Sequence, residues 1–334
     1  MLTRSGNSPG TRLDIHSLET VVQQYFAAGI AQSTSRVYES AKRRYVSFCS
    51  SHQLSQLPLN ENTLCLFVAQ LAVSGLKAQS IKCYLSGLRH YQISAGLSDP
   101  FTAGSFPRLH YIVKGIRREV GSQSKRRMPI TPPILRGLLS VWSRRSPRQD
   151  AVMLWAACTL AFFGFFRSGE ITVPSDQGFD PTVHLTTRDV QVDSRNSPSM
   201  LCIHLKQSKT DPFRAGAKIW IGKTGDILCP VTAVLSYLAA HPGGDGPLFV
   251  FQNGRPLTRS RLVKELHQGL QEMGMDPSTY SGHSFRIGAA TTAHAAGMED
   301  STIRMLGRWE SDAVMKYIRT PPESLAQLTQ RLCR

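Results

Sequence analysis

The 334-residue sequence contains no Cys-x-x-Cys pair, no apolar run long enough to span a bilayer, no internal repeat, and too few acidic side chains to balance its basic ones. Its seven cysteines (Cys49, Cys65, Cys83, Cys158, Cys202, Cys229 and Cys333) are scattered and odd in number, which argues for reduced thiols and against a zinc site. The most apolar stretch, Ala151 to Phe166, is shorter than a hydrocarbon core and runs into Arg167, so it reads as a buried helix. The opening MLTRSGNSPG lacks the apolar centre of a secretion signal. Aspartate and glutamate total 23 against 39 lysines and arginines, a formal charge of +16. Such a chain is drawn to a polyanion before any specific contact forms, and nucleic acid is the leading partner. A membrane surface is the rival use of that charge, yet no segment sets a lysine face opposite an aromatic one. Residues 1–128 hold 16 basic and 6 acidic side chains, the remainder 23 and 17. Both parts can therefore touch DNA, the first more indiscriminately.

At this length two domains are expected, each with its own core. Residues 1–13 are rich in Ser, Gly and Pro and read as a flexible tail. From Asp14 to about residue 120 the apolar spacing is helical. Leu18, Val21, Val22, Tyr25 and Phe26 share one face, and Val37, Tyr38, Ala41, Tyr45 and Phe48 another. Further helices are expected from Asn60 to Ser74, Ala78 to Ala95 and Leu109 to Val120, with Gly75 and Gly96 as stops. The stretch GSQSKRRMPITPP, residues 121–133, has no periodicity and reads as a linker. Beyond it, helices are expected over Ile134–Trp142 and Ala151–Phe166. HLTTRDVQV, MLCIHL and AKIWI then alternate or cluster strand-forming residues, which predicts a small antiparallel sheet with Lys209 near a loop tip. Helical patterns return over Pro230–Ala240, Thr258–Met273, Ser284–Ala296, Ser301–Leu306, Asp312–Arg319 and Glu323–Leu332. The fold class expected is mostly α with a small antiparallel β-sheet.

The second part holds the residue types that a phosphodiester cut by an amino-acid nucleophile requires. Phosphorus must be attacked, charge on the non-bridging oxygens must be held, and the departing 5′ oxygen needs a proton. Arg167 and Arg286 suit the oxygens, because a guanidinium is planar, bidentate and permanently charged. Arg167 follows the apolar AFFGFF, with Glu170 one turn away to orient it; an arginine snorkelling from a core helix is the plainer account. His283 and Arg286, three apart in SGHSFRIG, fall on one face of a helix start that itself attracts phosphate. The plainer account makes His283 an N-cap and Arg286 a surface charge. Lys209 can deliver a proton, or be an ordinary solvated lysine. Trp309, in LGRWES, offers one indole donor, although such a residue is most often a core aromatic. Tyr317, in DAVMKYIRT, supplies the nucleophile. A phenol of pKa about 10 is roughly 0.1% ionised at pH 7, a cost of about 4 kcal/mol that two arginines, a lysine and a histidine can offset.

Taken in order, Arg167, Lys209, His283-x-x-Arg286, Trp309 and Tyr317 resemble the motif series of the tyrosine recombinases, the phage-integrase group. YSGHSFRIGAATTAHAAGM and GRWESDAVMKYIRT are the sharpest blocks, closest to the Cre-like members. The resemblance runs loosely from about Asp14 and sharply over residues 280–320. It implies a two-domain DNA clamp on double-stranded DNA, with a helical core-binding domain over residues 14–120 and a mixed α+β catalytic domain over 134–320. It also implies a homotetramer on two DNA sites, with residues 321–334 forming an oligomerisation helix. By matching position, Arg167 and Arg286 hold the phosphate, supported by Glu170; Lys209 is the general acid and His283 assists proton transfer. Trp309 contacts a phosphate oxygen, and Tyr317 forms the 3′-phosphotyrosyl link. No metal, nucleotide or other cofactor is implied, because that link conserves the bond energy for rejoining. One departure stands out: Trp309 and Tyr317 are eight positions apart, one fewer than in the Cre-like pattern.

Cations that leave their apolar stripes, namely Lys42, Arg43, Arg44, Lys82, Arg89 and His90, are candidate DNA contacts, as are Lys125, Arg126 and Arg127 in the linker. Solvated helix faces are the alternative. A DNA-binding protein that no longer cuts is a competing reading, and keeping all six motif residues argues against it. A type IB topoisomerase uses similar chemistry, but the helical first part is more like that of a recombinase.

Overall fold

The computed structural model describes residues 14–102, 105–120, 126–145, 147–208, 211, 215–241, 243–310 and 312–319. The expected tail, the linker cation Lys125, Lys209 and the expected C-terminal helix lie outside these residues. The chain divides into two compact units, Met1–Ser124 and Lys125–Arg334.

Among the described residues the first unit contains five helices: α1 (Ile15–Ala28), α2 (Gln32–Ser51), α3 (Glu61–Val73), α4 (Ala78–Ser94) and α5 (Pro107–Glu119). Capping sets several of the boundaries. The Asn60 carboxamide accepts from the Asn62 and Thr63 amides to start α3, and Gly75 and Gly96 follow α3 and α4 in the left-handed conformation. Tyr45, Phe67, Leu64, Ile81, Leu88 and Leu109 form the core, with the Tyr45 and Phe67 rings edge to face at 5.2 Å. Helix α1 differs from this pattern, since none of its residues is buried and Ile15, Leu18, Val22 and Tyr25 stay exposed.

The second unit is built around α7 (Arg148–Phe163), which follows α6 (Pro132–Ser143). Helix α7 is buried on nearly every side, from Ala151 to Phe162, as expected for a helix that is apolar all round. Among the described residues, no helix is long and apolar enough to cross a membrane. The predicted helix to Phe166 ends early. Phe165 turns left-handed at φ 51, and a four-residue helix, α8 (Ser168–Ile171), follows. Arg167 therefore caps α8 instead of ending α7.

Strands β1 (Val190–Val192), β2 (Met200–Leu205) and β3 (Ala217–Gly222) form one antiparallel sheet in that order, with Ile203 opposite both Val190 and Ile219. The strand expected from His184 is shortened to three residues. Asp189 accepts from the Thr186 amide and hydroxyl at 2.7 and 2.8 Å, closing a 3-10 turn over Thr187–Asp189 in place of the ladder. Helices α9 (Pro230–Ala240), α10 (Arg259–Glu272), α11 (Ser284–Ala295) and α12 (Asp300–Gly307) follow the sheet among the described residues. A second correction concerns Asp312–Lys316, which is a 3-10 helix, so Tyr317 does not lie on an α-helix.

Candidate active site

Three arginines, one glutamate and two aromatic rings meet where the turn after α7, the start of α11 and the end of α12 come together. Glu170 is the hinge of the group, with only 5% of its side chain exposed. Its Oε2 accepts the Arg167 amide at 2.8 Å, and its Oε1 accepts Arg167 Nη1 at 2.8 Å. The carboxylate thus bonds both the backbone and the guanidinium of Arg167. Gly282 packs against the Ser168 side chain so tightly that no Cβ fits. This close approach brings the loop before α11 beside α8.

His283 occupies the N-cap of α11 and is exposed. Arg286, three residues later, is 0% exposed. The two therefore differ in exposure, and the plainer account of Arg286 as a surface charge is corrected. Its Nη1 donates to the Phe165 carbonyl at 2.6 Å and its Nη2 to the Gly307 carbonyl. Its guanidinium carbon stands 4.1 Å from the Trp309 ring centre and 5.8 Å from that of Tyr317, within cation–π range. Nε has no hydrogen-bond partner among the described residues. Burial, then the nearby charges of Arg167 and Arg308, push the Arg286 pKa down to about 9. The site holds more positive charge than its single carboxylate balances.

Trp309 is buried, meets Phe165 edge to face at 6.1 Å and lies 5.1 Å from the Tyr317 ring. Its indole nitrogen has no partner among the described residues. Gly307 makes this placement possible, because a Cβ there would fall inside the indole ring. The helix end shifts accordingly: Arg308, not glycine, takes the left-handed position after α12, at φ 55. Tyr317 is half-buried and its carbonyl accepts from the Thr291 hydroxyl of α11 at 3.3 Å; the same hydroxyl accepts the Arg319 amide at 3.1 Å. Thr291 therefore ties the tyrosine segment to the helix that carries Arg286.

Of the six predicted catalytic residues, Arg167, Arg286, Trp309 and Tyr317 converge, His283 stands at the helix start beside them, and Lys209 lies outside the described residues. Lys206, near the end of β2, is committed elsewhere, paired with Asp189 at 2.6 Å and donating to the Pro181 and His184 carbonyls. Sequence reasoning missed Thr291 and Arg308. Arg308 was visible as a cation next to Trp309, but its partners lie about 140 positions away. Among the described residues, no cluster of three or more His, Cys, Asp or Glu side chains could hold a metal ion.

In the first unit the candidate DNA contacts differ from one another. Arg43 and Lys82 are exposed. Lys42 lies 4.9 Å from the Tyr91 ring centre and Arg44 6.0 Å from that of Tyr84. His90 is half-buried between the Phe26 and Tyr38 rings. Arg89 donates to both Asp99 oxygens at 3.0 Å, holding that carboxyl below its usual range. In the second unit Arg126 is exposed, and Arg127 donates to the Ser278 carbonyl at 2.8 Å.

No family model matches the chain. It is 24% identical over 305 residues to an integrase/recombinase XerD homolog of Selenomonas ruminantium, covering 86% of this chain and 82% of the relative. It is 22% identical over 307 residues to the Cre recombinase of Escherichia phage P1, with 86% and 84% covered. The fold is similar to that of a lambda integrase dimer bound to a COC′ core site, with a TM-score of 0.58 and 18% identity over 91% of this chain and 77% of that one. The similarity thus spans most of the chain in both sequence and fold, and both sequence relatives are recombinases by name.

Proposed function

We propose that the protein is a site-specific recombinase of a mobile element, which breaks and rejoins double-stranded DNA through a covalent tyrosine link. The convergence of Arg167, Arg286, Trp309 and Tyr317 from separate segments onto one cation-rich spot carries this reading. In the proposed reaction the Tyr317 hydroxyl gives up its proton and its oxygen attacks a backbone phosphorus, forming a 3′-phosphotyrosine and displacing the 5′ oxygen, which takes a proton from Lys209 to become a 5′-hydroxyl. A 5′-hydroxyl then attacks the phosphotyrosine, restoring the phosphodiester and freeing the tyrosine. Arg167 and Arg286 hold the non-bridging oxygens as charge grows on them, and His283 assists the proton transfers. Bond energy is kept in the link, so the proposed cycle needs neither ATP nor a metal.

The proposed partners are double-stranded DNA and further copies of the chain, four on two sites, with residues 321–334 as the contact between copies. A role on DNA places the protein inside the cell, in the nucleus of a eukaryote or the cytoplasm otherwise. The relatives named above are an integrase/recombinase, a recombinase and a DNA-bound integrase, which favours cutting over a DNA-binding protein without activity.

The test uses a duplex selected from a randomised pool for binding to this protein, then nicked to trap the intermediate. The wild type is expected to form a denaturation-resistant protein–DNA adduct, and Tyr317→Phe none. Specific binding with no adduct in the wild type would favour the non-cutting alternative.

A further inference from the structure

Arg308 occupies an unusual position for a charged residue. It sits in the left-handed region that bulky residues seldom adopt, directly after Gly307. Its guanidinium spans three acceptors: Nη1 donates to the Gly164 carbonyl at 3.0 Å, while Nη2 reaches the Phe165 carbonyl at 3.4 Å and Glu170 Oε2 at 3.0 Å. Burial lowers its pKa in spite of the carboxylate. A desolvated cation in a strained backbone conformation persists only when the surroundings require it, and such positions cluster at functional sites.

The acceptors show what it is used for. Glu170 is the carboxylate that orients Arg167, and one of its oxygens is already bonded to the Arg167 guanidinium. With Arg308 on the other oxygen, the carboxylate has a cation on each side and little freedom to rotate. The Phe165 carbonyl is shared between Arg308 and Arg286. Arg308 therefore touches, through one carboxylate and one carbonyl, the supports of both proposed phosphate-holding arginines. Its Nη atoms are committed to these acceptors, so it serves them instead of facing a phosphate. Trp309, by contrast, packs as a ring between Phe165, Arg286 and Tyr317. Arg308 also stands nine positions before Tyr317, which removes the one-residue departure that counting from Trp309 creates.

Resting on the recombinase reading, we propose that Arg308 is a positioning residue of the cleavage site, holding Glu170, and through it Arg167, in the orientation that binds the scissile phosphate. A lysine cannot replace it fully, because one ammonium does not reach two carbonyls and a carboxylate as a planar fork does.

The experiment measures single-turnover adduct formation on the nicked, binding-selected duplex at saturating protein, with DNA affinity measured in parallel. It compares the wild type with R308A, R308K, E170Q and the R308A/E170Q double variant. Because a small misplacement of a catalytic group is costly, R308A is expected to slow cleavage by roughly tenfold to a hundredfold. DNA affinity should change by no more than about threefold, since one site contributes little among many phosphate contacts. R308K should recover part of the rate. Two residues acting through one carboxylate are not independent, so the double variant should be no slower than E170Q alone.

If the two losses multiply, or if R308A cleaves at the wild-type rate, the positioning role is wrong while the recombinase reading stands. A wild type that binds the duplex and never forms an adduct overturns both. Should R308A not fold, R308K/E170Q against its single variants makes the same comparison with the charge retained.

Discussion

Arg89 and Arg286 show how differently the two units handle the same side chain. Arg89 lies on the exposed face of α4 with both oxygens of Asp99 to bond, and the pair is open to solvent. Arg286 is sealed in the second unit, with two backbone carbonyls, two aromatic rings and two further arginines near it, and among the described residues no carboxylate bonds to it directly. An exposed ion pair contributes little to stability, and its loss is easily borne. A buried excess of cations is different: desolvation is not recovered until an anion arrives. In the proposed reaction the first unit's exposed cations draw DNA in, whereas the buried cations around Arg286 await the scissile phosphate.

The largest expected effect is at the tyrosine. Tyr317→Phe should lower adduct formation more than about a thousandfold, with DNA affinity nearly unchanged, because the hydroxyl is the only bond-forming atom. Arg286→Met comes next and tests the contrast itself. It is expected to slow cleavage by about a hundredfold or more, as does loss of a preorganised charge-stabilising donor. The DNA-free variant should nonetheless melt at a higher temperature than the wild type, because a buried, poorly compensated charge has been replaced by an apolar chain of similar length. A drop in melting temperature would show that Arg286 is already satisfied in the free protein, and the contrast between the units would fail. Sulfate, compared with chloride at equal ionic strength, should raise the wild-type melting temperature and have a weaker effect on Arg286→Met.

Smaller effects are expected from the first unit, and in the opposite category. Replacing Lys42, Arg43 and Arg44 together by alanine should weaken DNA binding and flatten its salt dependence by about one unit of slope per lost phosphate contact. Cleavage at saturating protein should stay within about twofold of the wild type if these cations only bind. The smallest effect is assigned to Arg89→Ala, whose charge is already matched by Asp99: DNA affinity should shift less than that of Lys82→Ala, as a filter-binding or anisotropy titration would show.

Much of the fold was legible along the chain. Asn60, Gly75 and Gly96 mark helix boundaries through local chemistry, and alternation in AKIWI places Ile219 and Ile221 inward as the burial pattern shows. Local rules misplaced the end of α7, because the left-handed turn at Phe165 puts its carbonyl where Arg286 and Arg308, from distant segments, can bond it. They also missed the shortening of β1, where the Asp189 side chain competes with the ladder.

The sequence by itself determined the residue types and their order: a basic chain, a helical first part, a small sheet, and arginine, histidine, tryptophan and tyrosine at fixed separations. Those properties depend on composition and near-neighbour spacing, which the chain carries without folding. Only the tertiary structure decided that Arg286 is buried and His283 exposed, that Glu170 serves two arginines, and that Arg308 belongs to the group at all. Each of these depends on which atoms from remote segments share a low-dielectric space, and on how few anions are there to meet the cations.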